Sequence, residues 1–130
     1  MVVGDRIFRE SGKFAFEIMS SHRNHGDCMF MGVTDAATTA RHVVYSPRAG
    51  EVYLFEEGAL ARTIRGLPSL LWKAQSSVIT IRLAEGTLSF GVKSADKEEE
   101  QIVDVGIRCS PHGWRPFAKM GHPGVVRLRA

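Results

Sequence analysis

The stretch Val78-Ile79-Thr80-Ile81-Arg82-Leu83-Ala84-Glu85-Gly86-Thr87-Leu88-Ser89-Phe90-Gly91-Val92 decides the fold class. On both sides of Glu85-Gly86, apolar side chains alternate with other residues at a period of two, which is typical of strands that bury one face. The short connection at Ala84-Glu85-Gly86 is typical of a tight turn. The stretch therefore predicts a β-hairpin with Leu88, Phe90 and Val92 on its inward face.

The same period of two continues on either side of this hairpin. Lys13–Met19 places Phe14, Phe16 and Ile18 on one face, and Cys28–Val33 is apolar on both faces, as in a central covered strand. A weak helix signal lies at Thr34–His42. The remaining predicted strands are Val43–Tyr45, Glu51–Phe55, Ala59–Ile64, Gln101–Ile107, and a final pair, Trp114–Met120 and Val125–Leu128, around the turn Gly121-His122-Pro123-Gly124.

Short strands separated by closely spaced turn residues predict an all-β fold, a two-layer antiparallel β-sandwich. The chain has 130 residues, of which 44% are hydrophobic and 24% charged. That size and composition fit one globular domain, so we predict a single domain over residues 1–130. The formal net charge is +3, which is too small to indicate nucleic-acid binding by itself.

The motifs that would indicate catalysis or a cofactor are missing from the sequence. Neither a GxSxG elbow nor a GxxxxGK[ST] or GxGxxG phosphate loop occurs, and there is no CxxC pair. His22 and His25 lie three residues apart in a polar loop, and two histidines do not make a metal site without further ligands. We therefore expect no enzymatic activity, no metal and no cofactor.

The aromatic residues are expected on the inward faces of the strands, unlike the base-stacking aromatics of RNA-binding sheets. Trp72 and Trp114 each flank a loop and are interpreted as core residues rather than as platforms for a ligand. Cys28 is interpreted as a buried thiol, with a disulfide to Cys109 as the alternative. The N-terminus has no signal-peptide pattern and the apolar runs are short, which predicts a soluble, intracellular protein, by expectation cytoplasmic.

The order of several motifs resembles the SPRY domain family. Ser11–Ile18 is similar to the SPRY entry strand, Phe30–Thr34 to the apolar strand that ends in Gly-Val-Ala, and Val78–Phe90 to the strand followed by Gly-Thr-Leu-Ser-Phe. Trp114–Ala118 and Gly121–Leu128 resemble the last two landmarks. The resemblance implies a lone SPRY domain without a PRY extension, with a concanavalin-like jelly-roll architecture.

The resemblance also implies a non-catalytic module that recognises a peptide or protein surface through loops at one end of the sandwich. Mapped onto this sequence, those loops are Asp35–His42 and Lys119–His122. Arg41 would pair with a carboxylate, Met120 would give an adaptable apolar contact, and Gly121 an unobstructed backbone N–H. The predicted partner-binding residues are Arg23, His25, Arg41, His42, Met120, Gly121 and His122.

Two alternatives to this interpretation stay open at the level of sequence. From Gly106 onward the chain contains five Lys or Arg residues and no Asp or Glu, which would suit an RNA-binding accessory domain. The other alternative is a structural subunit of a larger complex. No membrane association is expected from either, and the domain would act as a monomer or as part of an assembly.

Overall fold

The computed structural model describes residues 2–19, 29–37, 40–70, 76–108, 111–119 and 126–129. Eleven β-strands lie in these ranges, and the described residues contain no helix. The strands are β1 (Val2–Val3), β2 (Gly12–Ile18), β3 (Phe30–Asp35), β4 (Arg41–Ser46), β5 (Glu51–Glu56), β6 (Ala59–Arg65), β7 (Val78–Ala84), β8 (Thr87–Lys93), β9 (Gln101–Arg108), β10 (Trp114–Lys119) and β11 (Val126–Arg129).

The strands form two antiparallel sheets, which confirms the predicted β-sandwich. The first sheet has six strands in the order β1-β10-β3-β4-β5-β6, and the second has five in the order β11-β2-β7-β8-β9. Consecutive strands are neighbours within β3–β6 and within β7–β9, so each sheet is built around a meander. Strands from the two ends of the chain then flank these meanders.

The core lies between the sheets and is made by alternate residues of each strand. Phe14, Phe16 and Ile18 of β2 are buried, as predicted, and pack with inward residues of the neighbouring strands. Together the inward side chains make one apolar cluster, which supplies most of the driving force for folding. Its largest fully buried members are Trp114, Tyr45, Phe16, Phe90, Ile18, Met31, Ile79, Ile81 and Leu88.

The predicted pairing of the last two strands is wrong. β10 pairs with β3 and β1 in the first sheet, whereas β11 pairs with β2 in the second. The chain thus passes from one sheet to the other between Lys119 and Val126. The glycines and proline of this segment suggested a hairpin because a turn composition does not distinguish a return within one sheet from a crossing between two.

The weak helix signal at Thr34–His42 is also not realised in the described residues. β3 continues through Asp35, and β4 begins at Arg41. Thr34 is fully buried within β3, and its cross-strand partner on β4 is His42. Pairing within the sheet outweighs the weak local preference for a helix here.

Two tight hairpins have the same turn chemistry. Glu57-Gly58 joins β5 to β6 with φ of 53° and 81°, and Glu85-Gly86 joins β7 to β8 with φ of 51° and 77°. Positive φ at both central positions is the signature of type I′ turns, which match the twist of the flanking strands. Glycine suits such a position, but glutamate does not.

We expect Glu85→Asn to stabilise the domain by about 0.5–1 kcal/mol, because asparagine tolerates the left-handed region better than glutamate. Thermal unfolding should show a rise in Tm of about 2–4 °C. Glu99→Asn is the matched control, since it removes the same charge from an exposed residue without a positive φ. An equal rise in both variants would assign the effect to charge and contradict the turn argument.

The segment Gly66–Leu70 closes one end of the sandwich. Leu67 and Leu70 are buried in the core, and the Leu70 N–H donates to Pro47 O at 2.7 Å. The hydroxyl of the fully buried Tyr45 donates to Pro68 O at 2.5 Å. Burial raises the pKa of Tyr45 above its ordinary value, so the hydroxyl stays protonated and keeps this hydrogen bond at neutral pH.

Candidate functional site

The outer face of the first sheet carries the candidate site. The register sets His42 on β4 opposite Phe55 on β5 and opposite Thr34 on β3. On the neighbouring strand, Phe117 of β10 lies opposite Gly32 of β3. Because successive residues of a strand point to opposite faces, His42, Phe55 and Phe117 all project away from the core.

These side chains form the wall of an open cavity of about 420 Å³. This volume falls within the range of about 300–1,000 Å³ that is common for ligand sites. The His42 ring stacks on the Phe117 ring with centroids 4.6 Å apart and planes inclined by 20°. The described residues that line it are Phe30, His42, Val44, Phe55, Gly58, Phe117 and Lys119.

Tyr53 extends the aromatic surface beyond the cavity. Its ring centroid lies 6.2 Å from that of Phe30 and 6.1 Å from that of Phe55, both in edge-on arrangements. Aromatic rings packed edge to face hold one another in fixed orientations. Phe30, Tyr53 and Phe55 are each only half-buried, so part of this ordered aromatic surface faces solvent.

The contact between His42 and Phe117 depends on the strand between them. β3 separates β4 from β10, and Gly32 of β3 lies opposite both Val44 and Phe117. A Cβ atom at Gly32 would lie 2.0 Å from Val43 O and 2.9 Å from Val44 Cα, both backbone atoms of β4. Gly32 therefore permits the close approach of β4.

His42 is held by a hydrogen bond as well as by the ring stack. Its Nδ1 lies 3.0 Å from Thr34 Oγ1, and Thr34 Oγ1 donates to Arg41 O at 3.3 Å. Burial lowers the pKa of His42 below its ordinary value. The imidazole is accordingly neutral at pH 7, and its orientation is fixed on two sides.

The fixed charge at the cavity is positive. Lys119 lines it from the end of β10, and Arg115 projects from the same face of β10, four residues earlier. Arg115 Nε is buried and has no hydrogen-bond partner among the described residues. Glu51, further along this face, is paired with Arg65 at 2.8 Å. Among the described residues that line the cavity there is no carboxylate, which favours an anionic group next to Lys119.

Arg41 lies apart from the cavity, on the other face of β4. Its Nε lies 3.3 Å from Glu56 Oε1, and its guanidinium carbon lies 5.4 Å from the centroid of the Trp114 ring. It lines a shallower depression with Asp35, Glu56 and Glu57 among its neighbours. These contacts assign a large part of the Arg41 side chain to packing and pairing within the domain.

The outer face of the second sheet carries an ion pair. Arg82 Nη2 lies 2.8 Å from Glu100 Oε1. A Cβ atom at Gly91 would lie 2.4 Å from Glu100 Oε2 and 2.8 Å from Arg82 Nη1, so the pair is seated over this glycine. The two outer faces therefore differ, because one presents aromatic rings and the other a packed charge pair.

The structure brings one predicted partner-binding residue, His42, into the cavity and places Arg41 beside it on the opposite face. The other five predicted residues, Arg23, His25, Met120, Gly121 and His122, lie outside the described residues, as do Cys28, Trp72 and Cys109. Their assignment as binding residues stays a prediction.

Asp35 and Lys119, which begin the two predicted binding loops, do not lie at the same end of the sandwich. Met120, Gly121 and His122 lie outside the described residues, so for the rest of that loop the prediction stays a prediction. Asp35 pairs with Trp114 at the start of β10, whereas Lys119 pairs with Phe30 at its end. Five residues of extended strand separate these positions by about 17 Å. Residues from the two segments nevertheless approach each other on the outer face, where His42 and Lys119 line one cavity.

The expectation that the aromatic residues face inward is also wrong in part. Phe30, Tyr53, Phe55 and Phe117 project from the outer face, whereas Trp114 is fully buried, as predicted. The signal was present in Glu51–Phe55, where Val52 and Leu54 alternate with Tyr53 and Phe55. A strand that is apolar on both faces can pack one face into the core and present the other to a second apolar environment. Tyr53 and Phe55 therefore indicate aromatic residues on the outer face.

In the ranges that the structure covers, no three His, Cys, Asp or Glu side chains gather into a metal-binding group. Within the same ranges, no helix has the length and apolar character needed to cross a bilayer.

Comparison with known proteins shows the fold. The sequence matches no family model and no curated protein. Among solved structures, the SPRY domain of human HERC1 matches with a TM-score of 0.57 and 18% sequence identity, over 98% of this chain and 78% of that one. The architecture is therefore SPRY-like, as the motif order indicated. At this identity the likeness concerns the fold, and the function has to be argued from the site.

Proposed function

We propose that this domain is a non-catalytic protein-binding module and that it binds its partner through the outer face of the first sheet. The observation that carries the proposal is the aromatic cavity around His42, Phe55 and Phe117. The SPRY-like fold supports the general role, since a sandwich is a rigid frame on which binding surfaces are built. No chemistry is required of the residues that line the site.

The composition of the cavity resembles that of a binding hot spot. Apolar rings form the walls, one neutral histidine offers a polar contact, and Lys119 stands at the rim. Binding sites commonly combine apolar walls with a few fixed polar groups, and the residues that dominate affinity lie in such concave, water-excluding places. A partner side chain inserted beside Phe55 would remove from water the exposed part of this half-buried ring.

We expect Phe55→Thr to weaken partner binding at least tenfold, because it removes one wall of the cavity and an aromatic contact of the kind that gives hot spots. Threonine keeps the β-strand preference of this half-buried position. Peptides selected from a random-peptide display library on the wild-type domain would be measured on both proteins by fluorescence polarisation.

Ile102→Thr is the matched control for this experiment. Ile102 is an apolar strand residue with 57% exposure on the outer face of the second sheet, so it undergoes a comparable change far from the cavity. Selected peptides should bind this variant with unchanged affinity. Peptides that bind Phe55→Thr as tightly as the wild type, with both variants folded, would remove the outer face as the binding surface.

Arg41→Ala separates the outer face from the predicted loop site. Because the Arg41 side chain packs on Trp114 and pairs with Glu56 on the other face, peptides bound in the cavity should be little affected by this change. A loss of binding in Arg41→Ala that exceeds the loss in Phe55→Thr would return the site to the loop Asp35–His42.

A second candidate function is favoured by one observation. Outward aromatic rings with Lys119 and Arg115 on the same sheet face resemble a surface on which bases stack. The phosphate backbone, however, requires a positive groove along the whole path of the strand, whereas Lys119 is the only permanently charged residue among the described residues that line the cavity. A salt titration with oligouridine decides between the two, because a steep loss of affinity with salt would favour nucleic acid.

A further inference from the structure

The surroundings of His42 Nδ1 bear on which imidazole nitrogen carries the proton. Thr34 has a single hydroxyl proton, and its Oγ1 lies 3.3 Å from Arg41 O and 3.0 Å from His42 Nδ1. With Thr34 donating to Arg41 O, the contact with Nδ1 is satisfied only if Nδ1–H donates to the hydroxyl oxygen. We assign this arrangement, in which neutral His42 is the Nδ1–H tautomer and its other nitrogen, Nε2, is an acceptor.

The acceptor nitrogen is available to a ligand. Among the described residues, Nε2 of His42 has no hydrogen-bond partner, and it is not one of the buried polar atoms that lack a partner, so it is not fully buried. The ring that carries it lines the cavity and is clamped against Phe117. A fixed acceptor in an apolar wall favours ligands that can donate a hydrogen bond. A bound group without a donor would bury Nε2 unpaired, which is unfavourable.

The remaining walls specify the shape of the group that can reach this nitrogen. Phe30, Phe55 and Phe117 present aromatic rings, which pack best against the face or edge of another ring. A ring that also bears an O–H or N–H satisfies the walls and Nε2 together.

The charge at the rim specifies what stands next to that ring. Lys119 is exposed and lines the cavity, and the neighbouring charge on the same face of β10 is Arg115. Of the described lining residues, none is a carboxylate that would compensate for Lys119. An acidic residue adjacent to the inserted ring would pair with Lys119, with the modest gain of an exposed pair.

We propose that the cavity selects an aromatic side chain with a hydrogen-bond donor, tyrosine or tryptophan, flanked by a carboxylate in the partner segment. Nε2 of His42 accepts the hydrogen bond, the phenylalanine rings enclose the aromatic group, and Lys119 contacts the carboxylate. The inference rests on the proposed function, since it states which partner segments the outer face would recognise.

The test uses small probes, so that it does not depend on a selected partner. Amide NMR titrations would compare acetyl-Asp-Tyr-amide, acetyl-Asp-Phe-amide and acetyl-Asn-Tyr-amide on the whole chain. We expect the Asp-Tyr probe to bind roughly fivefold to tenfold tighter than Asp-Phe, the range for one net hydrogen bond. Its advantage over Asn-Tyr should be about twofold to fivefold at low salt.

Two variants assign these preferences to their residues. His42→Phe keeps a ring beside Phe117 but removes the acceptor, so the tyrosine probe should lose its advantage while the phenylalanine probe still binds. Lys119→Gln should abolish the advantage of Asp over Asn and leave the preference for tyrosine. Retained binding of the phenylalanine probe also shows that the His42→Phe variant is folded.

Several results would overturn the inference. These are equal binding of the tyrosine and phenylalanine probes to the wild type, a tyrosine preference that survives in His42→Phe, and shifts that map away from the cavity. The proposed function fails separately, if the display-selected peptides ignore Phe55→Thr. Peptides that depend on Phe55 but carry no tyrosine or tryptophan would leave the function in place and remove only this specificity.

Discussion

Gly32→Ala is expected to destabilise the domain by about 3 kcal/mol, because the new methyl group would overpack a position that is already in contact with backbone. Its Cβ would lie 2.0 Å from Val43 O and 3.0 Å from Val43 C. Backbone atoms of a paired strand cannot turn aside as a flexible side chain would, so β3 and β4 would have to separate. Urea unfolding should show a lower midpoint, and NMR should show a disturbed His42–Phe117 contact.

Gly86→Ala is the comparison that isolates the steric effect. Gly86 has a φ of +77°, but no described atom lies within 4 Å of the place that a Cβ would take. Alanine there should therefore cost only the strain of the left-handed region, about 1–2 kcal/mol. A Gly32→Ala protein that is as stable as Gly86→Ala would show that the β4 backbone can move aside for the new methyl group. In that case the close approach of β3 and β4 would not depend on glycine.

Trp114→Ala is expected to cost about 3–5 kcal/mol, the range for truncating a large buried aromatic side chain. Trp114 is 0% exposed and belongs to the single apolar cluster between the sheets. Its backbone also exchanges hydrogen bonds with Phe8 at 2.8 and 2.9 Å, which brings the segment before β2 onto the edge of the core. Calorimetry or urea unfolding would give the loss directly.

Trp114→Phe tests the origin of that loss. The indole Nε1 is buried with no hydrogen-bond partner among the described residues, which is itself unfavourable. Phenylalanine removes this nitrogen and keeps a ring beneath the Arg41 guanidinium, so it should cost less than half as much as alanine. If the two substitutions cost the same, the stabilisation by Trp114 would come entirely from the part of the indole that phenylalanine lacks.

Much of the fold could be predicted because the relevant signal is local. Alternation in Lys13–Met19 and in the hairpin of β7 and β8 depends only on neighbouring residues and one buried face. The crossing from β10 to β11 could not be predicted in this way. Turn-forming residues reduce the cost of a change of direction, but the choice of sheet depends on which edge is vacant, and that is set by strands more than a hundred residues away.

The site was harder to predict because it is built across strands. The sequence predicts His42 as a loop residue and Phe117 and Phe55 as inward-facing, whereas all three project from the outer face of the first sheet. Their meeting depends on the strand order β10-β3-β4-β5 and on Gly32 in between, neither of which is visible in a single strand. The Nδ1–H tautomer of His42 likewise depends on Thr34, which lies on a different strand.

The pairing of strands from the two ends of the chain affects how the molecule reaches this structure. β1 lies on β10 and β2 on β11, and an ion pair joins Glu17 to Arg127, 110 positions apart. Contacts of such long range require nearly the whole chain to be collected before they form, which carries a large loop-closure entropy. The β3–β6 and β7–β9 meanders can assemble early, and the terminal strands then join two preformed halves. We therefore expect this domain to fold on the slow timescale of β-sandwiches.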